Sequence, residues 1–358
     1  MKKKLLALAV GAVIAAPVSA LANAELYGRI NLAIDHFDGK EAGVPAGIGF
    51  DEEAGTYQLN SNKSFFGIRG GADLTAGLRG FYQLEFGVNV DEGVTGDDLL
   101  FTRNSFLGVE SGFGSVQAGR FDTPLRAMGA GVDQFRDIRY ADFANIVAGE
   151  WRADNVIQYT TPKIADMLTV AVATVAAENQ DDATGSGNPN NKLFDTLSIS
   201  AMLDLGDFYA GLGYDKNNYG IQGGNGLYLS DAYADTGLGI SSLDLGVSND
   251  IYRVVAGINM DALEIGVLLQ QAEDVNDSDN KNRSYLLSAG FELTDMVKLK
   301  AQYGETDFRA TDIKARQATI GADYMLGQQT KTYIYTTRQE VDGDRHFAVV
   351  GIGAEHRF

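Results

Sequence analysis

The chain has 358 residues, no cysteine and a formal net charge of -19, so it holds neither a disulfide frame nor a thiolate metal site. So acidic a balance argues against nucleic acid as a partner, because phosphate binding needs basic surface. Glycine is abundant, proline is scarce, and Tyr and Phe far outnumber the single Trp151, which suits a large antiparallel sheet: proline cannot donate to a ladder and aromatics fit a pleated surface.

Met1 is followed by Lys2, Lys3 and Lys4, an apolar run from Leu5 to Ala16, and Ala22-Asn23-Ala24. A basic start, a short apolar core and small residues at alternate positions predict a secretory signal peptide over residues 1–24, cleaved before Glu25. A transmembrane anchor would need roughly 20 apolar residues and no cleavage motif. Loss of the three lysines takes the net charge from -19 to -22, a balance that favours cations or a screening, salty medium. No later stretch is apolar over a helical span, which leaves a β-barrel open, since barrel strands alternate.

From Glu25 onward, Leu26, Gly28, Ile30, Leu32 and Ile34 share one parity and Tyr27, Arg29, Asn31, Ala33 and Asp35 the other. That is a strand between two media. A long loop from Asp38 to Thr56 follows. After a turn at Asp73–Gly77, Leu78, Gly80, Tyr82, Leu84, Phe86 and Val88 alternate with Arg79, Phe81, Gln83, Glu85 and Gly87. A hairpin about Ser111–Gly114 comes next, its pattern blurred by Asn104 on the expected outer face.

Residues 121–152, FDTPLRAMGAGVDQFRDIRYADFANIVAGEWR, have neither strand nor helix periodicity. A connection this long in a chain of short strands is functional or disordered, and its Leu125, Met128, Phe135, Ile138, Tyr140, Phe143, Ile146 and Val147 argue against disorder. The stretch concentrates both charge signs and is expected to fold inside the sheet and narrow it.

Alternating rows then recur to the end of the chain, among them Phe208, Ala210, Leu212 and Tyr214, and Ala318, Ile320, Ala322 and Tyr324. Thr330 to Arg338 is ambiguous, since Tyr333 and Tyr335 oppose Ile334. Short turns (Asp204–Asp207, Asp261-Ala262, Thr294-Asp295, Gly327–Gln329) alternate with long polar connections (Glu178–Lys192, Lys216–Asp250, Glu273–Lys281). This is the signature of an all-β transmembrane antiparallel up-and-down β-barrel, here of about sixteen strands. A soluble sandwich also alternates, but needs one core face. The final strand places His356, Ala354, Ile352, Val350 and Ala348 on the face of Phe358, an aromatic end suited to a membrane interface.

On these residues the chain resembles the Gram-negative general porins: in Leu26-Tyr27-Gly28-Arg29, in the hairpin from Thr102-Arg103-Asn104-Ser105-Phe106-Leu107-Gly108 to Gly114-Ser115-Val116-Gln117-Ala118-Gly119-Arg120, and in the terminal Phe358. The resemblance implies a homotrimeric, sixteen-stranded, water-filled diffusion channel in the outer membrane of lipid and lipopolysaccharide. It also implies a third external loop in the lumen and a terminal strand read by the barrel-assembly machinery. The family's basic wall at the constriction maps onto Arg29, Arg103 and Arg152, with Lys63 beside them. The acidic side falls to Asp133, Asp137 and Asp142 by composition, and to Glu85 on the inward face. Phe65 stands where relatives commonly carry arginine, and the Pro-Glu-Phe-Gly-Gly of enterobacterial relatives is missing. The resemblance further implies that Asn104 lies on a strand facing a neighbouring subunit, as an intersubunit hydrogen bonder.

Other chemistry is weakly signalled. Asp274, Asn276, Ser278 and Asp279 lack the glycine and terminal glutamate of a calcium loop. His36, His346 and His356 pair with no candidate nucleophile, so no enzyme is expected, and Gly351-Ile352-Gly353 is no nucleotide fingerprint. No cofactor is expected. Passive diffusion of small hydrophilic solutes and ions is the leading function, with a slight preference for cations. A substrate-specific channel and a surface adhesin or receptor built on the Lys216–Asp250 loop remain alternatives, the former needing an aromatic ladder down the lumen.

Overall fold

The computed structural model describes residues 24–39, 55–75, 77–91, 100–176, 194–218, 249–277, 279–309, 312–341 and 345–358. Residues 1–23 of the expected leader, the Glu178–Lys192 loop, most of the Asp38–Thr56 and Lys216–Asp250 loops, and Ser278 lie outside the described residues. Eighteen β segments form one antiparallel sheet. The first half comprises β1 (Glu25–Gly39), β2 (Thr56–Ser61), β3 (Phe65–Thr75), β4 (Leu78–Val88), β5 (Leu100–Thr102), β6 (Ser105–Ser111), β7 (Gly114–Asp122), β8 (Arg152–Thr160) and β9 (Leu168–Val175). The second comprises β10 (Leu197–Asp204), β11 (Phe208–Asn218), β12 (Asn249–Met260), β13 (Leu263–Asp274), β14 (Lys281–Thr294), β15 (Val297–Phe308), β16 (Ile313–Met325), β17 (Thr330–Val341) and β18 (Arg345–Arg357).

Two of these divisions are bulges within one strand. Both β2 and β3 pair with β1, and both β5 and β6 pair with β4, so the eighteen segments make sixteen crossings. The ladder from Arg29–Arg357 to Gly39–Phe347 joins β1 to β18 and closes the barrel. At the seam the Gly28 N–H donates to the Phe358 carbonyl at 2.9 Å and the Phe358 N–H to the Gly28 carbonyl at 3.1 Å. A side chain at residue 28 would force the seam to shift, because its Cβ would lie 2.8 Å from the Phe65 carbonyl oxygen as well as 2.5 Å from the Phe358 ring.

Alternation becomes topology directly. Ile30, Ile34, Leu107, Ile320, Val350 and Ile352 stand exposed on the outer surface, while Asn31, Asp35, Gln317, Thr319 and Glu355 are buried on the inner one. The ambiguous β17 resolves with Ile334 outward and Tyr333 and Tyr335 inward. Strands of 12 to 14 residues, as in β12 to β18, tilted as barrel strands are, cross the ~25 Å apolar band of an outer membrane.

The bulges correct one expectation. Between the Phe86–Thr102 and Gln83–Phe106 pairs, two residues of β4 face three of the partner, so parity slips by one. Asn104 therefore turns into the lumen, where its Oδ1 accepts from Arg152 Nε at 2.8 Å, instead of facing outward as an intersubunit group. The same slip brings Phe106 inward and leaves Leu107 outside, 68% exposed. Between Ser61 and Phe65 the β1 ladder slips in the same way, with Lys63 in the left-handed region at φ 52°.

Residues 123–151 lie inside the barrel. Leu125, Val132, Phe135, Ile138, Tyr140, Phe143, Ile146 and Val147 form one buried cluster with Phe37, Ile251, Val255, Leu268, Leu286, Tyr335 and Val349 of the inner wall. Burying side chains of this kind contributes roughly 1.5–3 kcal/mol each. The segment thus packs as a core although it has almost no regular structure.

Candidate functional site

The inward segment begins with a short helix, α1 (Pro124–Gly129), set by local chemistry. Proline occupies the first turn, where its missing N–H costs nothing, and the Thr123 hydroxyl caps the helix by accepting from Arg126 N–H at 3.3 Å. Asp142 caps a single 3-10 turn (Phe143–Asn145) by accepting from Ala144 N–H at 2.9 Å. The chain returns to the wall through Gly149 at φ 88°, a conformation that favours glycine.

A segment so short of helix and strand must find other partners for its peptide groups. The barrel supplies them. Gln317 Nε2 donates to the Ala141 carbonyl at 2.7 Å, Gln270 Nε2 to Ala148 at 2.9 Å, Ser288 Oγ to Val132 and Thr306 Oγ1 to Ile146, while Ser198 Oγ accepts from Leu125 N–H at 3.2 Å. Several inward polar residues that look like a wetted wall are thus pegs for the loop.

Arg253 is the strongest tether. Fully buried on β12, it pairs with Glu150 at 2.7 Å and donates to the Leu125 and Ala148 carbonyls and to Gln270. Sequence reasoning missed it. The signal was present, since its inner-face neighbours Ile251 and Val255 are apolar where a wetted lumen would be polar.

The expected basic residues gather along one side of the lumen. Arg29 Nη2 lies 2.9 Å from Asp137 and also donates to the Lys63 carbonyl at 2.9 Å. Lys63 Nζ lies 2.9 Å from Asp142 and 3.4 Å from Asp137. Arg103 pairs with Glu85 at 2.7 Å, and Arg152 with Asp122 at 2.9 Å. Phe65, the departure noted above, lies between two of the arginines, its ring centroid 5.3 Å from Arg29 and 4.9 Å from Arg103. A ring so placed attracts both guanidiniums without adding charge.

The expected acidic residues divide three ways. Asp137 and Asp142 reach the basic side directly. Burial acts to raise the Asp137 carboxyl, but Lys63, Arg29, Arg103 and Arg136 outweigh it and hold the group well below the usual carboxylate range. Asp142 is also lowered, burial and Asp137 being overcome by Lys63 and by its bonds to Lys63 and Ala144. Asp133 faces into the loop instead, accepting from Phe135 N–H at 2.9 Å and Phe143 N–H at 3.4 Å; burial and Asp142 push its carboxyl up. Glu85 stands on the basic side rather than across from it, because it is the strand neighbour of Arg103, and it also accepts from Tyr27 at 3.1 Å. Asp122, absent from the sequence-based set, is the hub of a further cluster, with Arg126 at 3.4 Å and Arg136 at 3.6 Å besides Arg152.

A closed barrel with an apolar exterior, a polar interior and a segment folded across its bore is an outer-membrane channel. The chain belongs to the Gram-negative porin family, whose model matches residues 7–344. Outer membrane porin protein 32 of Delftia acidovorans is 27% identical, over 93% of this chain and 88% of that protein. The anion-selective porin from Comamonas acidovorans superposes with a TM-score of 0.69 at 21% identity, covering 94% and 99% of the two chains. A trimer form of OmpT from Vibrio cholerae does so with a TM-score of 0.62 at 16% identity, over 94% and 99%. The protein is therefore a multi-pass outer-membrane channel for passive diffusion, and not an enzyme.

Proposed function

We propose that small hydrophilic solutes and ions cross this channel past a charged constriction at residues 123–151, whose basic side is Arg29, Lys63, Arg103 and Arg152. The supporting observation is the seat of Asp137 between Arg29 and Lys63, which fastens the loop to the wall by charge. Each wall cation has a carboxylate within 3 Å, so the constriction is close to self-compensated. The sign of selectivity then falls to the mouths. Residues 40–54 and 89–99 join strands on the long-connection side and carry Glu41, Asp51, Glu52 and Glu53, and Asp91, Glu92, Asp97 and Asp98, which raises the local cation concentration. A weak cation preference follows. The Comamonas porin is anion-selective, but at 21% identity the likeness speaks for the fold alone.

Reversal potentials across a salt gradient test this reading. Arg103→Ala frees Glu85 and is expected to shift the potential toward cations; an unchanged potential would remove Arg103 from the narrowest part.

The same reading includes a homotrimer set in lipid and lipopolysaccharide, with residues 1–24 as the export leader. The pairing of Phe358 with Gly28 across the seam supports a role for the last strand before closure. That edge is open until the barrel shuts, when its aromatic end is available to the assembly machinery.

A further inference from the structure

Between the inward segment and the β6 to β12 wall, opening toward the end with short turns, lies a cavity of about 590 Å³, within the roughly 300–1,000 Å³ that small-molecule sites occupy. Among the described residues no cationic side chain lines it, and its one charged lining residue, Asp122, is already held by Arg126, Arg136 and Arg152. The lining thus has no unpaired charge to offer an ionic solute. It offers an apolar surface and a fringe of neutral polar groups instead.

The apolar surface is built on Phe106, Met202 and Tyr209. Tyr209 is its platform. The ring lies over Gly257 of the next strand, where a Cβ would come within 2.4 Å of it, and the hydroxyl donates to the Gly131 carbonyl at 3.0 Å. One side of the ring is therefore set against the wall while the ring lines the cavity. Phe106 is held by an edge-to-face contact with Phe121 at 5.6 Å.

The fringe is four carboxamides from four different segments: Asn104, Gln117, Gln158 and Asn259. Among the described residues, the Gln117 and Asn259 side chains bond no protein group. The Asn104 side chain spends only Oδ1, on Arg152, and Gln158 only Nε2, on Thr160 at 3.0 Å. A carboxamide carries a donor and an acceptor side by side, which matches a pair of neighbouring hydroxyls. A plain aromatic solute would use the platform and leave the amides idle. A saturated ring bearing hydroxyls uses both, having C–H faces for an aromatic plane and an edge of donors and acceptors.

We propose that this cavity retains uncharged pyranose sugars in transit, a C–H face lying against Tyr209 and the hydroxyls reaching Gln117 and Asn259. The inference deepens the diffusion reading by naming the solute class the channel holds longest, and rests on it only in assuming that the cavity is reached through water. Confined to one level of the bore, such a surface slows a sugar without conveying it along a ladder.

Saturation-transfer NMR titrations on the detergent-purified protein measure weak binding without requiring conduction. D-glucose is expected to bind roughly tenfold more tightly than D-glucitol, which has the hydroxyls but no ring, than D-glucuronate, which adds a charge, and than phenol, which lacks the hydroxylated edge. Tyr209→Ala should bring glucose down to glucitol, whereas Tyr209→Phe keeps the platform and should bind as the wild type does. Asn259→Ala, at an exposed position, and Gln117→Ala should each weaken glucose severalfold, which keeps the test open if Tyr209→Ala fails to fold. Equal binding of glucose and glucitol, phenol or glucuronate binding as well as glucose, or both amide variants binding as the wild type does would overturn the site. A protein that binds glucose in this order yet carries no current would leave the site standing and overturn the channel; one that conducts ions but does not prefer glucose to glucitol would do the reverse.

Discussion

At the scale of single residues, the carboxylates of the inward segment make opposite demands on pH. Asp137 and Asp142 titrate below ordinary carboxylates, so what they contribute to seating the loop is complete above the unfolded-chain value, about 3.9. It drains away as pH falls below that toward their folded values. Asp133 titrates above its unfolded value, so its ionised form costs stability and acidification through its folded value relieves that cost. Single-channel conductance is therefore expected to hold from pH 7 to pH 5 and to become unsteady only below about pH 4. Asp137→Asn leaves Arg29 with only the more distant Glu355 carboxylate, at 3.8 Å, and Lys63 with Asp142 alone; the loss of a buried ion-pair partner costs up to about 3–5 kcal/mol and should lower the melting temperature and bring that unsteadiness to neutral pH. The inward facing of Arg29 and Glu85 was legible because parity there is regular, but the side of the bore on which Glu85 stands was not. Parity failed at Asn104 because a bulge adds one residue to one strand, an event that a pattern of apolar and polar letters shows only as blurred alternation, without saying which way the side chain turns.

The element that distinguishes this barrel from a plain tube is the inward segment, and its two anchoring systems differ in kind. The apolar cluster with Ile251, Val255, Leu268 and Leu286 holds it by area, whereas Arg253 holds it at chosen carbonyls. Arg253→Met keeps much of the volume but removes the nearer partner of Glu150, leaving Arg126 at 3.8 Å, and the donors to Leu125 and Ala148. Thermal unfolding followed by circular dichroism should show the barrel intact with a lower midpoint, and current traces should show added open-channel noise; quiet traces at wild-type conductance would mean that the apolar cluster alone suffices. From sequence, the segment's lack of periodicity together with its eight large apolar residues was enough to place it inside. Its path was not legible, because the pegs Gln270, Ser288, Thr306 and Gln317 look the same whether they bind water or a carbonyl.

For the whole molecule, the charge balance separates two contributions to selectivity by their response to salt. Fixed charges at the mouths act through bulk electrolyte and fade as the screening length shrinks from ~10 Å at 0.1 M to ~3 Å at 1 M. The paired charges at the constriction are partly buried and fade less. Cation preference should thus decline steeply between those concentrations, and a reversal potential at constant activity ratio that ignored ionic strength would place the selective charges in the constriction instead. Sixteen crossings, their alternation of short and long connections and the closing aromatic strand were all readable in advance, since each depends on period-2 repetition over the full chain.

The claim on which permeation depends is that residues 123–151 occupy the water path. The chain has no cysteine, so Ala127→Cys, on the exposed side of α1, offers one thiol to a charged, membrane-impermeant thiosulfonate while single channels are recorded. The account predicts that current falls in discrete steps as the reagent couples within the bore. Complete coupling, verified by mass, with the current unchanged would put the segment outside the passage and contradict it.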